Sequence, residues 1–137
     1  MLPIYRCPSD STSSGDPFYG PCSYPTNNLM CATRVKIPDD VPRGTAETIL
    51  FAEKYGACSY WALTAGREVP WYVADETSGF QMQPPICDPK LPQSPHREGI
   101  QVGMLDGSVR MIARDTDPRI WFAVNNPAQL GGNGSDP

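Results

Sequence analysis

Histidine occurs once in this chain, at position 96, and nowhere do apolar residues run to the roughly 18 in a row that a membrane-crossing helix needs. No Cys-x-x-Cys pair is present, and His96 has no cysteine beside it at zinc-ligand spacing, so no metal-finger signature exists. No serine sits in a Gly-x-Ser-x-Gly frame, and the strained elbow that exposes a hydrolase nucleophile is therefore not signalled. The acidic calcium loop of an EF-hand is missing as well. Eleven basic residues are scattered against fifteen acidic ones, for a net charge of −4, which disfavours nucleic acid as a partner. The opening Met1-Leu2-Pro3-Ile4-Tyr5-Arg6 carries neither the charged nor the apolar region of a secretory signal, so this stretch is expected neither to export nor to anchor itself.

What is present points to one domain. At 137 residues, a folded chain buries roughly two-thirds of its extended surface, enough for a real core. A hydrophobic share of 39% with 16 prolines and 12 glycines argues against long helices and for short strands joined by many loops. The expected organisation is one globular domain over residues 1–128 and a flexible Gly/Asn/Ser tail over 129–137. Five cysteines, Cys7, Cys22, Cys31, Cys58 and Cys87, suit an oxidising compartment, with two disulfides of open connectivity and one thiol left over.

The strongest local signal runs from His96 to Arg110. Ile100, Val102 and Met104 alternate with Gln101 and Gly103, Asp106-Gly107 forms a two-residue turn, and Val109, Met111 and Ile112 carry the return strand. Two further stretches stand out: Cys7-Pro8-Ser9-Asp10 and Gly44-Thr45-Ala46-Glu47-Thr48-Ile49-Leu50-Phe51-Ala52-Glu53. Together with the histidine placed ten residues before Asp-Gly, they resemble the prepilin-type H-X9-DG family of planctomycete pilin-like proteins. Ala46-Glu47 stands where that family usually has Ser-Asn, and His96-Arg97-Glu98-Gly99 where it usually has His-Pro-Gly-Gly; both departures fall on expected turns.

The resemblance implies the β-rich head of a type IV pilin-like or pseudopilin-like subunit, related to the filament proteins of type II secretion, extracellular or in the cell envelope. It implies a structural role, self-association or packing with other pilin-like subunits, and no enzyme activity. The family's N-terminal apolar helix is not found in this chain, so the head is expected to be excised, processed, or docked on a partner that supplies the helix. Cys7, Asp10, His96, Asp106, Gly107 and Arg110 are the expected motif and interface residues.

The fold class expected is α+β, mainly an antiparallel sheet with long Pro/Gly-rich loops and a short C-terminal helix. Strands are predicted over 34–37, over 47–53 as the central strand, over 58–63 and over 71–74, with a proline-rich crossing between Thr77 and Pro95. The C-terminal helix has Thr116 or Asp117 as N-cap, Pro118 in its first turn and apolar residues at Ile120, Trp121 and Val124, and is expected to pack Trp121 on the sheet.

Candidate chemistry is sparse. Glu47 and Glu53, six apart on one strand, lie about 20 Å apart at 3.3 Å per residue and cannot share a substrate atom. His96 is expected to cap or hydrogen-bond the hairpin loop through its ring, with ligand, proton-transfer or subunit-contact roles as alternatives. Asp106, Asp115 and Asp117 are candidate calcium ligands. A second class of function is a carbohydrate-binding module that uses Trp61, Trp71 or Tyr72 as stacking platforms.

Overall fold

The computed structural model describes residues 3–12, 22–31, 34–58 and 77–128. Strands β1 (Ile49–Ala52), β4 (Gly99–Met104) and β5 (Val109–Ala113) form an antiparallel sheet in the order β1-β4-β5, and the short strands β2 (Gln81–Met82) and β3 (Gln93–Ser94) pair in parallel. Among the described residues two α-helices accompany them, α1 (Asn28–Cys31) and α2 (Pro118–Asn125). The sheet and the short C-terminal helix together make an α+β domain. Among the described residues, no helix is long and apolar enough to cross a membrane.

The period-two pattern of β4 decides which face is buried. Ile100, Val102 and Met104 point into the core with Ile49 and Ala52, and Trp121 of α2 closes over them, fully buried and tilted against Phe80 at 4.9 Å between ring centroids. Helix α2 starts where the sequence predicts: Asp117 is the cap, accepting from the Arg119 backbone N–H at 2.8 Å, and Pro118 opens the first turn. Trp121 packs on the sheet as expected; Asn125 is buried as well, while Ile120 is exposed. Asn125 is buried because it is bonded. Its side chain donates to Trp121 O at 2.7 Å, and its carbonyl accepts from Asn27 Nδ2, which also reaches Ile49 O.

Several sequence expectations are corrected. Residues 34–37 form no strand; Asp40 instead closes a turn, its N–H donating to Lys36 O and its carboxylate accepting from the Lys36 N–H. The strand expected over 47–53 is shorter, preceded by a 3₁₀ turn at Thr45–Glu47, and β4 rather than β1 is central. A bulge between Ile49 and Phe51 resets the alternation, so Phe51 turns outward and Ala52 inward. The hairpin loop has three residues, not two. Gly107 N–H donates to Met104 O, Met104 N–H to Ser108 O, and only Gly107 takes a positive φ, 85°. That is a tight turn over Leu105 and Asp106 followed by a left-handed glycine bulge. Residues 59–63 of the strand expected over 58–63, the strand expected over 71–74, Trp61, Trp71 and Tyr72, and the tail from 129 lie outside the described residues.

Candidate functional site

The N-terminal turn is built by the residues of Cys7-Pro8-Ser9-Asp10. Asp10 N–H donates to Cys7 O at 3.0 Å, and both side chains are buried. Residues 23–27 then run beside the outer edge of β1: Lys54 N–H donates to Ser23 O, Ala52 N–H to Pro25 O, and Asn27 N–H to Leu50 O. Ser23 N–H reaches back to Tyr5 O at 2.8 Å. The turn is thereby carried to the end of β1, where the chain passes from Ala52 into Glu53.

Asp10 is the pin of this assembly. One carboxylate oxygen accepts from Thr12 N–H at 2.9 Å and Thr12 Oγ1 at 2.6 Å; the other accepts from Ser23 Oγ at 3.1 Å and Gly56 N–H at 2.8 Å. Three separate segments meet on a single buried carboxylate, which is tolerable in a dry environment only because both oxygens are fully engaged.

Glu53 is the second buried carboxylate and the centre of the site. Its backbone bridges two strands, with its N–H donating to Gln101 O and its carbonyl accepting from Gln93 N–H. Its Oε2 accepts from Gln101 N–H at 3.0 Å and Ser94 Oγ at 2.9 Å, while Oε1 faces His96 Nε2 at 2.9 Å. The Cys7 Sγ lies 3.9 Å from Glu53 Oε1 and 3.9 Å from His96 Nε2. These three donor atoms all lie within 4.8 Å of one another. The His96 side chain is 28% exposed and that of Glu53 only 2%, so the cluster opens to solvent on the histidine side. Burial, with the nearby Cys7 thiol and its hydrogen bond, then Glu53 and Cys22, pushes the Tyr24 phenol up to about 12, which keeps it protonated beside the thiol.

This arrangement differs from a thiol–imidazole–carboxylate relay. In such a relay the imidazole takes the nucleophile's proton on one ring nitrogen and is oriented by the acid through the other. Here the thiol and the carboxylate face the same nitrogen. The geometry is convergence on a point, not a chain.

The structure places the other candidate residues as follows. His96 does not bond the hairpin loop; its ring turns to Glu53 and Cys7, and its backbone N–H donates to Ser94 Oγ at 3.1 Å. Asp106 sits at the far end of β4 from His96 and accepts from the N–H and hydroxyl of Ser108, contacts that hold its carboxyl below the usual range. Arg110 makes an exposed ion pair with Glu47 at 3.3 Å. The calcium expectation is corrected. Asp106 lies at one end of β5, Asp115 and Asp117 beyond the other, with Asp117 occupied as the helix cap. Among the described residues the triad of Cys7, Glu53 and His96 is the group with metal-binding geometry.

The cysteines also differ from expectation. Cys58 and Cys87 form a disulfide, whereas Cys7 and Cys22 are free thiols, so the two disulfides expected from five cysteines reduce to one among the described residues. Sequence reasoning paired no cysteine with His96 because the partner comes from 89 positions away. It also assigned Glu53 no place in this cluster. The available signal was its position directly after an apolar strand, where a charge must either turn outward or find buried partners.

No family model, curated protein or solved structure matches the chain.

Proposed function

We propose that this domain is the globular head of a pilin-like or pseudopilin-like structural subunit, displayed on an extracellular or cell-envelope filament and packed against copies of itself. The observation that carries this reading is the outer strand of the sheet. Among the described residues β5 is hydrogen-bonded on one side only, and its Val109 and Met111 side chains are 70% and 49% exposed. An open antiparallel edge with apolar side chains is a template for a neighbouring strand, and a two-fold axis lets the same strand of a second copy supply it.

Three further observations support the reading. Phe51, Gly103 and Val109, level with one another across the three strands, join Ile4 and Tyr24 in lining a groove of about 340 Å³ on the face away from the core. The stretches that carry the family resemblance also meet in space, since Cys7, Glu53 and His96 form one cluster that locks the N-terminal turn to the sheet. The Cys58–Cys87 disulfide suits an oxidising compartment.

Immunogold electron microscopy of producing cells, with antiserum raised against the domain, tests the location. Label along surface fibres or the envelope supports the reading, and label confined to the cell interior refutes it. Sedimentation of the purified chain tests the edge: association that rises with concentration and is lost in Met111→Lys is the expected result.

A further inference from the structure

Cys7 and Glu53 are 46 residues apart, and Glu53 and His96 a further 43, yet each offers one donor atom to a common point. We propose that Cys7 Sγ, Glu53 Oε1 and His96 Nε2 form a three-ligand site for a divalent transition metal of the zinc class, with a fourth position open to water or an exogenous ligand. The site is separate from filament packing and does not rest on it.

The spacing fits. Tetrahedral zinc, with bonds of about 2.3 Å to sulfur and about 2.0–2.2 Å to nitrogen and oxygen, sets its ligand atoms roughly 3.3–3.6 Å apart. The separations here are 3.9 Å for each sulfur contact and 2.9 Å between His96 Nε2 and Glu53 Oε1, so movements of about half an ångström complete the shell. The carboxylate is already aimed: Ser94 Oγ and Gln101 N–H hold Oε2, which fixes Oε1 toward the thiol and the imidazole as outer-shell partners do in metal sites. Mixed sulfur, nitrogen and oxygen donors select zinc or cobalt over calcium or magnesium, which take oxygen alone.

Cys7 and Glu53 are buried and His96 is half-buried, so among the described residues the approach is from the histidine side. When the metal enters, the Cys7 S–H bond breaks as the sulfur–metal bond forms, and the proton leaves to buffer. Nε2 and Oε1 exchange their mutual contact for metal bonds, the proton that lay between them leaving to buffer or being replaced by one on Nδ1, and no electrons are transferred.

The test uses the untagged, metal-free full chain, purified anaerobically and titrated with Co(II), followed by displacement with Zn(II). The expected result is one equivalent per chain, with a thiolate-to-cobalt charge-transfer band that Zn(II) abolishes. Cys7→Ser removes the band, Cys22→Ser leaves it unchanged, and His96→Gln weakens binding by more than about 100-fold, beyond the loss typical of an outer-shell change. Circular dichroism confirms that each variant is folded, and the conservative Cys7→Ser keeps the test decisive where Glu53→Gln would also release Ser94 and Gln101. Absence of a thiolate band in the folded wild-type chain overturns the proposal, as does a band that persists in Cys7→Ser.

Discussion

Replacing Asp10 with asparagine changes one atom and should cost more than most core truncations of that size. Each carboxylate oxygen accepts from a backbone N–H, Thr12 on one side and Gly56 on the other. An amide has one acceptor and one donor end, so either orientation sets an NH₂ against a backbone N–H and leaves a buried donor without a partner. That alone costs about 1–3 kcal/mol, and the surviving bonds to Thr12, Ser23 or Gly56 lose the assistance of the charge, giving roughly 2–4 kcal/mol altogether. Ser23→Ala removes one bond and leaves Asp10 ionised and otherwise engaged, for about 1 kcal/mol. Urea unfolding followed by circular dichroism measures both; with a slope of about 2 kcal/mol per molar, Asp10→Asn moves the midpoint by about 1–2 M and Ser23→Ala by about 0.5 M. A loss for Asp10→Asn that is no greater than for Ser23→Ala would refute the argument that backbone donors on both oxygens make this carboxylate irreplaceable.

Trp121→Ala empties the space between α2 and the sheet and is expected to lower stability by about 3–5 kcal/mol, measured by thermal or urea unfolding. Asp117 is held down to about 2 from 3.8 by its bonds to the Arg119 side chain and backbone, so its contribution is complete above the ordinary carboxylate range and fades as pH falls toward 2. The melting temperature of Asp117→Asn should therefore lie below wild type near neutrality and converge with it at the acid end. Burial pushes the Lys54 amine down to about 8 from 10.5, with Pro89 O as its acceptor at 2.7 Å. Since the unfolded chain holds this proton more tightly, the penalty is present in full below about 8 and disappears as pH rises toward 10.5; the stability advantage of Lys54→Met should shrink across that interval.

The local features of the fold were legible, and the reasons are local. Alternation of Ile100, Val102 and Met104 identifies the buried face of β4, and the Asp117-Pro118 pair marks the start of α2, because both are set within a few residues of chain. Even there the turn was misread. Asp-Gly is compatible with a two-residue loop, but the pairing of Gly103 with Val109 leaves room for Leu105 in the connection. Residues 34–37 alternate like a strand, yet Asp40 captures the Lys36 N–H before a ladder can form. At the site, Cys7, Asp10 and His96 were singled out one by one, while their arrangement was not foreseen. Glu53 was missing from the picture, and a convergence of segments 43 and 46 residues apart is a property of sheet register that spacing along the chain cannot express.

The segment over 23–27 that lies along β1, together with the turn before it, carries a consequence for the order of assembly. The β4–β5 hairpin closes a short loop and can form early, whereas β1 must find β4 across about fifty intervening residues, a slower event. Residues 23–27 reach β1 across only 23 to 31 positions, whereas the turn at residues 5–10 needs both Glu53 and His96 in place, 46 and 89 positions from Cys7, so that turn is expected to dock last and seal Glu53 from water. Removing the first ten residues should leave a folded sheet with an uncovered acidic spot at its end, and the earliest amides to exchange in the intact domain should be those of the last piece to arrive.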